Sequence, residues 1–359
     1  MLIDDKETIR LLTQIGADVL KYLRNNEPPK VAVPLRTTSN IKYDPKYRCY
    51  VLAGKYKVRS CGNIKHIRKV AQLLRVARFC KDDLIKQNKH ATLRELYYIS
   101  ESWGKGLKFE EQAESNDMLE DIEAMISKPR EALKITPEDK GGVYGDLTVE
   151  YRDPKGRKQR INCLNTPDGL AVGPRLDEAK IIECNASRVI AIETGGMYDR
   201  LIEEGAYEKF DAILVHLGGQ STRSARMLLK RLNQEQELPV YIFTDADPWG
   251  MHIAMVIISG SSKAAHINKE LAVPDAKWIG VTASDIVKYN LRTDPMNEKD
   301  IKRCDELLKD PRYNDQRLRK EIELFLKLKR KAEQQALAKY GLSYVVEEYL
   351  PIKLREFET

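Results

Sequence analysis

Val240-Tyr241-Ile242-Phe243-Thr244-Asp245-Ala246-Asp247-Pro248-Trp249-Gly250 is the stretch whose reading decides the fold. Its β-branched and aromatic run reads as a buried strand, and two carboxylates one residue apart follow before Pro and Gly turn the backbone away. Open α/β sheets place ligands beyond the carboxyl ends of their strands, and Mg²⁺ favours a few carboxylate oxygens with water and substrate phosphate, so the pair is well placed to hold a metal. Standing alone, the same residues also read as a solvated Asp-x-Asp loop.

Outward from this stretch the chain alternates strands and helices. Arg188 to Ile192 reads as a strand ending at Glu193, followed by a helix from Met197 to Glu204; Asp211 to His216 reads as a strand ending at Gly218-Gly219, followed by a helix from Ser221 to Leu232. After the acidic pair come a helix from Trp249 to Ser259 and a strand from Lys277 to Val281. Such alternation implies a parallel sheet covered on both faces. Glu193, Asp245 and Asp247 then meet at one edge of that sheet, a credible metal site. Gly195-Gly196 and Gly218-Gly219 let backbone approach a phosphate at helix starts, or serve only as tight strand-to-helix turns. Residues 284 to 340 read as mostly helical and charged, and Leu342 to Leu354 as an extended, largely apolar end.

Upstream, residues 4 to 26 look helical, with Ile9, Leu11, Leu12, Ile15, Val19 and Leu20 as the apolar face. Residues 31 to 60 hold short β-like pieces without a further assignment. A helix from about Lys65 presents Ile67, Val70, Leu73, Leu74 and Ala77; another from Thr92 to Ser102 has capping-box spacing between Thr92 and Glu95; a third spans about Asn116 to Ser127. Gly141 to Tyr151 then reads as a glycine-bounded strand leading to a turn at Asp153-Pro154-Lys155-Gly156. Three helices and a β-hairpin are the order of a winged-helix module. The Pro and Gly of residues 154 to 174 mark the inter-domain connection. The expected fold is mixed α/β: an arm and dimer contact at 1–64, a winged-helix (CAP-like) domain at 65–153, and an α/β domain with a parallel sheet and a helical extension at 154–359.

With 359 residues, 42% hydrophobic and 32% charged, the chain has the composition of a globular protein of two domains. No apolar run approaches the roughly 20 residues that span a bilayer, and MLIDDKETIR lacks the pattern of a signal peptide, so a cytoplasmic protein is expected. Six scattered cysteines without Cys-x-x-Cys suggest reduced, buried thiols rather than zinc or disulfides, and His252 reads as a helix-surface residue. The net charge of +7 is unevenly spread. Between Lys55 and Arg94, twelve Lys and Arg stand against only Asp82 and Asp83. That is the footprint of a polyanion-binding face, with Arg68, Lys69, Arg75, Arg78 and Arg94 as candidate DNA contacts, although a solvated basic surface has the same composition.

A glutamate after one strand and Asp-x-Asp after a later one resemble the Toprim domain. The resemblance becomes closer over Asp245-Ala246-Asp247-Pro248-Trp249-Gly250, Gly260-Ser261-Ser262, Val273-Pro274-Asp275-Ala276-Lys277-Trp278-Ile279-Gly280 and Ser284-Asp285-Ile286. These segments, with Lys331-Ala332-Glu333-Gln334-Gln335-Ala336-Leu337 and Tyr349-Leu350-Pro351-Ile352-Lys353-Leu354, resemble the A subunit of the type IIB DNA topoisomerases, the archaeal topoisomerase VI family related to the meiotic break-forming transesterases. The match runs from about residue 65 to the C-terminus. Ala246 stands where the family usually has Gly, and Gly218-Gly219-Gln220-Ser221-Thr222-Arg223 replaces a Lys-Gly-Tyr-Pro-like loop.

The resemblance implies a tyrosine nucleophile in the winged-helix region, the second of two adjacent aromatics, which is Tyr98 in Arg94-Glu95-Leu96-Tyr97-Tyr98. Arg94 lies one helical turn earlier on the same face, while Tyr97 faces away and suits packing. It further implies Mg²⁺ on Glu193, Asp245 and Asp247, with Glu193 as a candidate general acid/base, and a homodimer in which each tyrosine faces the partner's Toprim site. The sequence has no Gly-x-x-x-x-Gly-Lys-[Ser/Thr] loop, so ATP falls to a partner, the topoisomerase VI B subunit, in an A₂B₂ assembly on double-stranded DNA. Two other readings stay open: break formation without strand passage, and a DNA-binding architectural protein with an inert Toprim domain.

Overall fold

The computed structural model describes residues 3–136, 141–153 and 155–357. Pro154, in the expected turn and at the expected domain boundary, lies outside the described residues.

The N-terminal core is built by helices whose apolar residues recur at helical spacing. Asp5–Arg24 buries Thr8, Leu12, Ile15 and Val19, and the Asp4 side chain caps its first turn by accepting from the Lys6 and Glu7 amides. Ile64–Arg78 buries Val70, Leu73, Val76 and Ala77. Leu93–Ser100 starts at the expected Thr92/Glu95 capping box. Together with Gln112–Ile126 they enclose Leu12, Val31, Leu73, Leu96, Leu119, Ile122 and Ile135. Against the helices Ile64–Arg78 and Gln112–Ile126 lies a two-stranded antiparallel ribbon, Lys30–Pro34 with Tyr56–Ser60. The ribbon that accompanies the three helices therefore precedes them in the chain.

The hairpin expected after those helices does form, Leu147–Arg152 pairing antiparallel with Lys158–Asn162, but its place in their module is a correction: it belongs to the second core. Gly142–Tyr144 pairs with Ala212–His216 at one side of a six-stranded sheet, and Leu147–Arg152 joins Lys158–Asn162 and Lys180–Cys184 in a separate three-stranded sheet. Val143, Leu147 and Val149 all belong to the C-terminal core, so the first core gives way to the second between Ile135 and Val143. The single strand read from Gly141 to Tyr151 is broken by Gly145, whose φ of +136° and close approach to the Ala212 carbonyl, 2.9 Å from where a Cβ would sit, admit no side chain. Alternation in sequence reports a strand; it does not report which sheet receives it.

Across the large sheet the strands run Leu170–Ala171, Gly142–Tyr144, Ala212–His216, Arg188–Ile192, Val240–Phe243 and Lys277–Gly280. The last four are parallel and the first two antiparallel to their neighbours. Val240 to Phe243 are buried on both faces, as a central parallel strand requires.

Leu342 to Leu354, expected to be extended, is helical over Val345–Tyr349 and Leu350–Arg355. Val345, Tyr349, Leu350 and Leu354 share the buried side, and Pro351 follows the π-helical turn Val345–Tyr349. The Tyr349 hydroxyl donates to Asp285 Oδ2 at 2.7 Å and Lys353 pairs with Asp285 Oδ1 at 2.8 Å, which fastens this tail to the domain.

The halves are joined at several points. The hairpin Ile41–Asp44/Cys49–Leu52 rises from within the ribbon and docks on the second half, where the Asn268 amide donates to the Tyr50 carbonyl at 2.9 Å and the Tyr50 hydroxyl to Asp310 at 3.0 Å. Deeper inside, Arg223 Nη1 meets Glu123 Oε1 at 2.6 Å with His266 nearby. Burial works to raise the Glu123 carboxyl, but Arg223 and His266 override it and hold it down at about 2. A depressed carboxylate gives stability that is present above its unfolded value near 4.5 and is lost as pH falls toward 2. Glu123→Gln strands a buried guanidinium and is expected to cost about 3–5 kcal/mol in urea denaturation at pH 7. Its deficit should shrink as both proteins are titrated from pH 4.5 downward.

Candidate active site

Arg188–Ile192 and Val240–Phe243 are neighbours in parallel register, with Ile192 opposite Phe243, so Glu193 and the acidic loop leave the sheet side by side. The Asp245 amide donates to Glu193 Oε2 at 3.0 Å. Asp245 Oδ1 in turn accepts the Gln334 amide at 2.9 Å, and Asp247 caps the helix Pro248–Ser259 by accepting the Gly250 amide at 2.6 Å. Between them Ala246 exchanges both backbone hydrogen bonds with Ala332, at 2.8 and 3.1 Å. Ala246 is fully buried and its backbone is not left-handed, which is why alanine serves where glycine was expected.

Gly250 has the opposite requirement. A Cβ there would strike the Asp245 carbonyl oxygen and come within 3.1 Å of the Asp245 amide and Thr244 Oγ1. Gly250→Ala is therefore expected to push the acidic loop off its position and lower any activity that relies on these carboxyls about 10²-fold, as an ångström-scale displacement of reacting groups does. Measuring that activity on a variant with an unchanged far-UV spectrum checks this.

The three carboxyls share one electrostatic environment. Burial pushes Glu193 up to about 7, aided by the charges of Asp245 and Asp247 and partly offset by the Asp245 amide. Asp245 is pushed up to about 6 by burial, with Asp247 and Glu333 adding to it, and Asp247 is raised by burial against its bonds to backbone amides. A divalent cation would relieve that mutual repulsion. Among the described residues no three His, Cys, Asp or Glu side chains already stand at ligand spacing of one point. Glu193, Asp245 and Asp247 offer hard carboxylate oxygens, the donor type that Mg²⁺ takes, one or two at a time, together with waters and substrate phosphate.

The glycine pairs act first as turns. Gly218 and Gly219 both have positive φ, and the Gly219 amide donates to the Glu193 carbonyl at 3.0 Å; Gly195 opens the helix Gly195–Glu203. In the departing loop, Arg223 turns inward to Glu123 rather than outward.

Tyr98 lies on the N-terminal core, 56% exposed, with Arg94 exposed one turn before it. Tyr97 is half-buried, its hydroxyl 3.5 Å from the Glu110 carbonyl, while Leu96 and Ser100 bury the helix's inner face. Among the described residues no hydrogen bond or ion pair joins Tyr98 or Arg94 to the acidic cluster of the same chain. Of the other candidate DNA contacts, Lys69 is exposed and Arg78 is largely so, 3.8 Å from Asp82. Arg68 and Arg75 also have partners within the fold: Arg68 donates to the Lys108 carbonyl at 2.8 Å and pairs with Glu110 and Glu114, and Arg75 lies over the Trp103 ring.

His252, read as a surface residue, is instead half-buried, and burial with Arg303 and Arg312 drives it down to about 4. All six cysteines are free, four of them buried. No helix among the described residues is long and apolar enough to cross a membrane. Sequence reading passed over Asp300 and Lys331, which pair at 2.9 Å beside the acidic loop. The available signal was Trp249 inside the deciding stretch, whose indole donates to Asp300 at 3.0 Å.

Comparison with known proteins meets this geometry from the other side. The family model for the Toprim domain of the topoisomerase 6 A-type chain and Spo11 matches residues 188–354, and that described as "Type IIB DNA topoisomerase" matches residues 68–135. The A subunit of type 2 DNA topoisomerase 6 from Methanothermobacter thermautotrophicus is 49% identical over 98% of both chains. Those from Archaeoglobus fulgidus and Haloarcula marismortui are 41% and 38% identical, over 98% of this chain and 98% and 96% of theirs. With both of its halves matched and its relatives aligned nearly end to end, this chain belongs to the family of type 2 DNA topoisomerase 6 A subunits.

Proposed function

We propose that this chain is the DNA-cleaving and rejoining subunit of an ATP-dependent type II topoisomerase, with Tyr98 as its nucleophile. The observation that carries this reading is the pairing of an exposed tyrosine on a capped helix, preceded by an exposed arginine, with an open cluster of three carboxyls at the edge of a parallel sheet. The three helices and their ribbon form the winged-helix module that brings Tyr98 to the duplex, and Lys69, Arg78 and Arg94 meet its backbone.

Tyr98 Oη attacks the phosphorus in line. A P–Oη bond forms, the P–O3′ bond breaks, the phenolic proton leaves to a base, and the departing 3′-oxygen takes up a proton to become a hydroxyl. A phenol is weakly nucleophilic at neutral pH, so the Arg94 guanidinium is needed nearby to favour phenolate and to hold the phosphate. Mg²⁺, when bound by Glu193, Asp245 and Asp247, would supply charge withdrawal from the phosphate and a seat for the 3′-oxygen. Free of metal, Glu193 is balanced near neutrality, which suits a general acid/base. One phosphodiester is exchanged for another, so rejoining needs no nucleotide.

Two chains cut the two strands as a homodimer, each Tyr98 facing the partner's acidic cluster, and an ATPase B subunit drives duplex passage in an A₂B₂ assembly. Mixing the chain with that ATPase is expected to relax supercoiled plasmid in the presence of ATP and Mg²⁺, and to trap DNA with protein on 5′ ends when denatured mid-reaction. Break formation with no ATP-dependent relaxation would favour the break-forming alternative; DNA binding with no linked ends would overturn the proposal.

A further inference from the structure

Asp300 lies in the first turn of the helix Glu298–Lys309, only 2% exposed, with a carboxylate that is fully engaged. Its Oδ1 accepts the Trp249 indole N–H at 3.0 Å, and its Oδ2 accepts Lys331 Nζ at 2.9 Å and the Asn297 amide at 3.0 Å. A buried charge satisfied by three donors is a rigid anchor. The groups it anchors face outward. Trp249 is 40% exposed, whereas Trp103 and Trp278 are 9% and 4% exposed, and Lys331 keeps 28% of its side chain in solvent.

Both groups border the acidic cluster. Trp249 follows Asp247-Pro248 in the first turn of its helix, and Lys331 precedes Ala332, the residue that pairs with Ala246 between the two aspartates. The Arg303 guanidinium lies over the Trp249 ring, 4.6 Å from its centroid, so the indole is gripped at its N–H edge and on one face. A fixed aromatic surface and a fixed cation beside a phosphate-handling site have the chemistry of nucleotide recognition, because every base presents a π-face and every linkage a charge.

We propose that Trp249 and Lys331, held by Asp300, form a nucleotide clamp next to the scissile linkage. The exposed indole surface stacks on a base or deoxyribose of the cleaved strand, and the ammonium meets a phosphate of the same strand. The clamp keeps the end bearing the new 3′-hydroxyl in place for rejoining. This rests on the function proposed above, and its test is arranged so that the two can fail separately.

The full chain carrying Tyr98→Phe, which binds but does not cut, is titrated with mixed-sequence duplex DNA in Mg²⁺ while tryptophan emission is followed. Stacking is expected to quench the emission, and Trp249→Phe in that background is expected to abolish the change, because the two remaining tryptophans are buried. Trp249→Leu should weaken binding about tenfold and Trp249→Phe much less. Lys331→Met should lower the salt dependence by about one phosphate contact, and Lys331→Arg should restore it. A DNA-induced change that survives Trp249→Phe, no change in the parent, or parent-like affinity in folded Trp249→Leu would overturn the clamp. Linked ends formed by the chain with Tyr98 intact, alongside any of those results, would sink the clamp alone; absence of linked ends would sink the wider reading.

Discussion

Tyr98→Phe is expected to bind duplex DNA as the parent does and to form no covalent complex with it, a loss on the order of 10⁴-fold or more in cleavage. The substitution removes one oxygen from a ring that is 56% exposed and has no hydrogen bond to lose among the described residues, so the fold should not notice. Tyr97→Phe is the matched control. Its hydroxyl is 3.5 Å from the Glu110 carbonyl on the half-buried side of the same helix, and its loss should leave cleavage within a few-fold of the parent. Scoring protein-linked ends with both variants separates a nucleophile from a pair of packing tyrosines. Nuclease or primase chemistry, by contrast, would survive Tyr98→Phe.

Neutralising the acidic cluster should act in opposite directions on activity and stability. Glu193→Gln or Asp245→Asn is expected to lower cleavage on the order of 10²–10³-fold, the usual cost of removing one electrostatic element from such a site. In the folded chain Glu193 is raised to about 7 and Asp245 to about 6, from ordinary values of 4.5 and 3.8. A raised carboxyl favours folding below its unfolded value, and that advantage is lost as pH rises through the folded value. Without metal, the parent should therefore lose thermal stability between about pH 5 and pH 8, and both variants should lose less and melt higher at pH 8. Added Mg²⁺ should raise the parent's melting temperature and leave the variants nearly unmoved. A stability cost in the variants at pH 8 would mean that these carboxylates hold the fold together rather than strain it.

How far the sequence reaches depends on whether a feature is local. The Val240 to Phe243 strand, its turn into Asp245-Ala246-Asp247 and the capping box before Tyr98 are written in adjacent residues, and the structure has them where the sequence puts them. That Glu193 and the acidic pair leave the same edge of the sheet follows from parallel alternation; that their strands are immediate neighbours is seen only in the structure. Non-local partnership was not legible. Gly142–Tyr144 needed Ala212–His216 to reveal its sheet, and the hairpin at residues 41 to 52 needed Asn268 and Asp310 to show that it straps the halves together. The tail from Val345 was misjudged because two valines and a proline weigh toward extended chain, while tertiary burial of Tyr349 and Leu350 decides for helix. Arg68 pairs with Glu114 and Arg223 with Glu123, and neither partnership, across tens of residues, is announced by the basic sequence.

The most direct test is to map the linkage itself. DNA cleavage in Mg²⁺ is stopped with denaturant, the protein is digested, and the nucleotide-bearing peptide is sequenced by mass spectrometry. The account predicts one modified peptide, carrying a 5′-phosphate ester on Tyr98. A nucleotide on Tyr97 or any other residue, or a linkage through a 3′-phosphate, would contradict it.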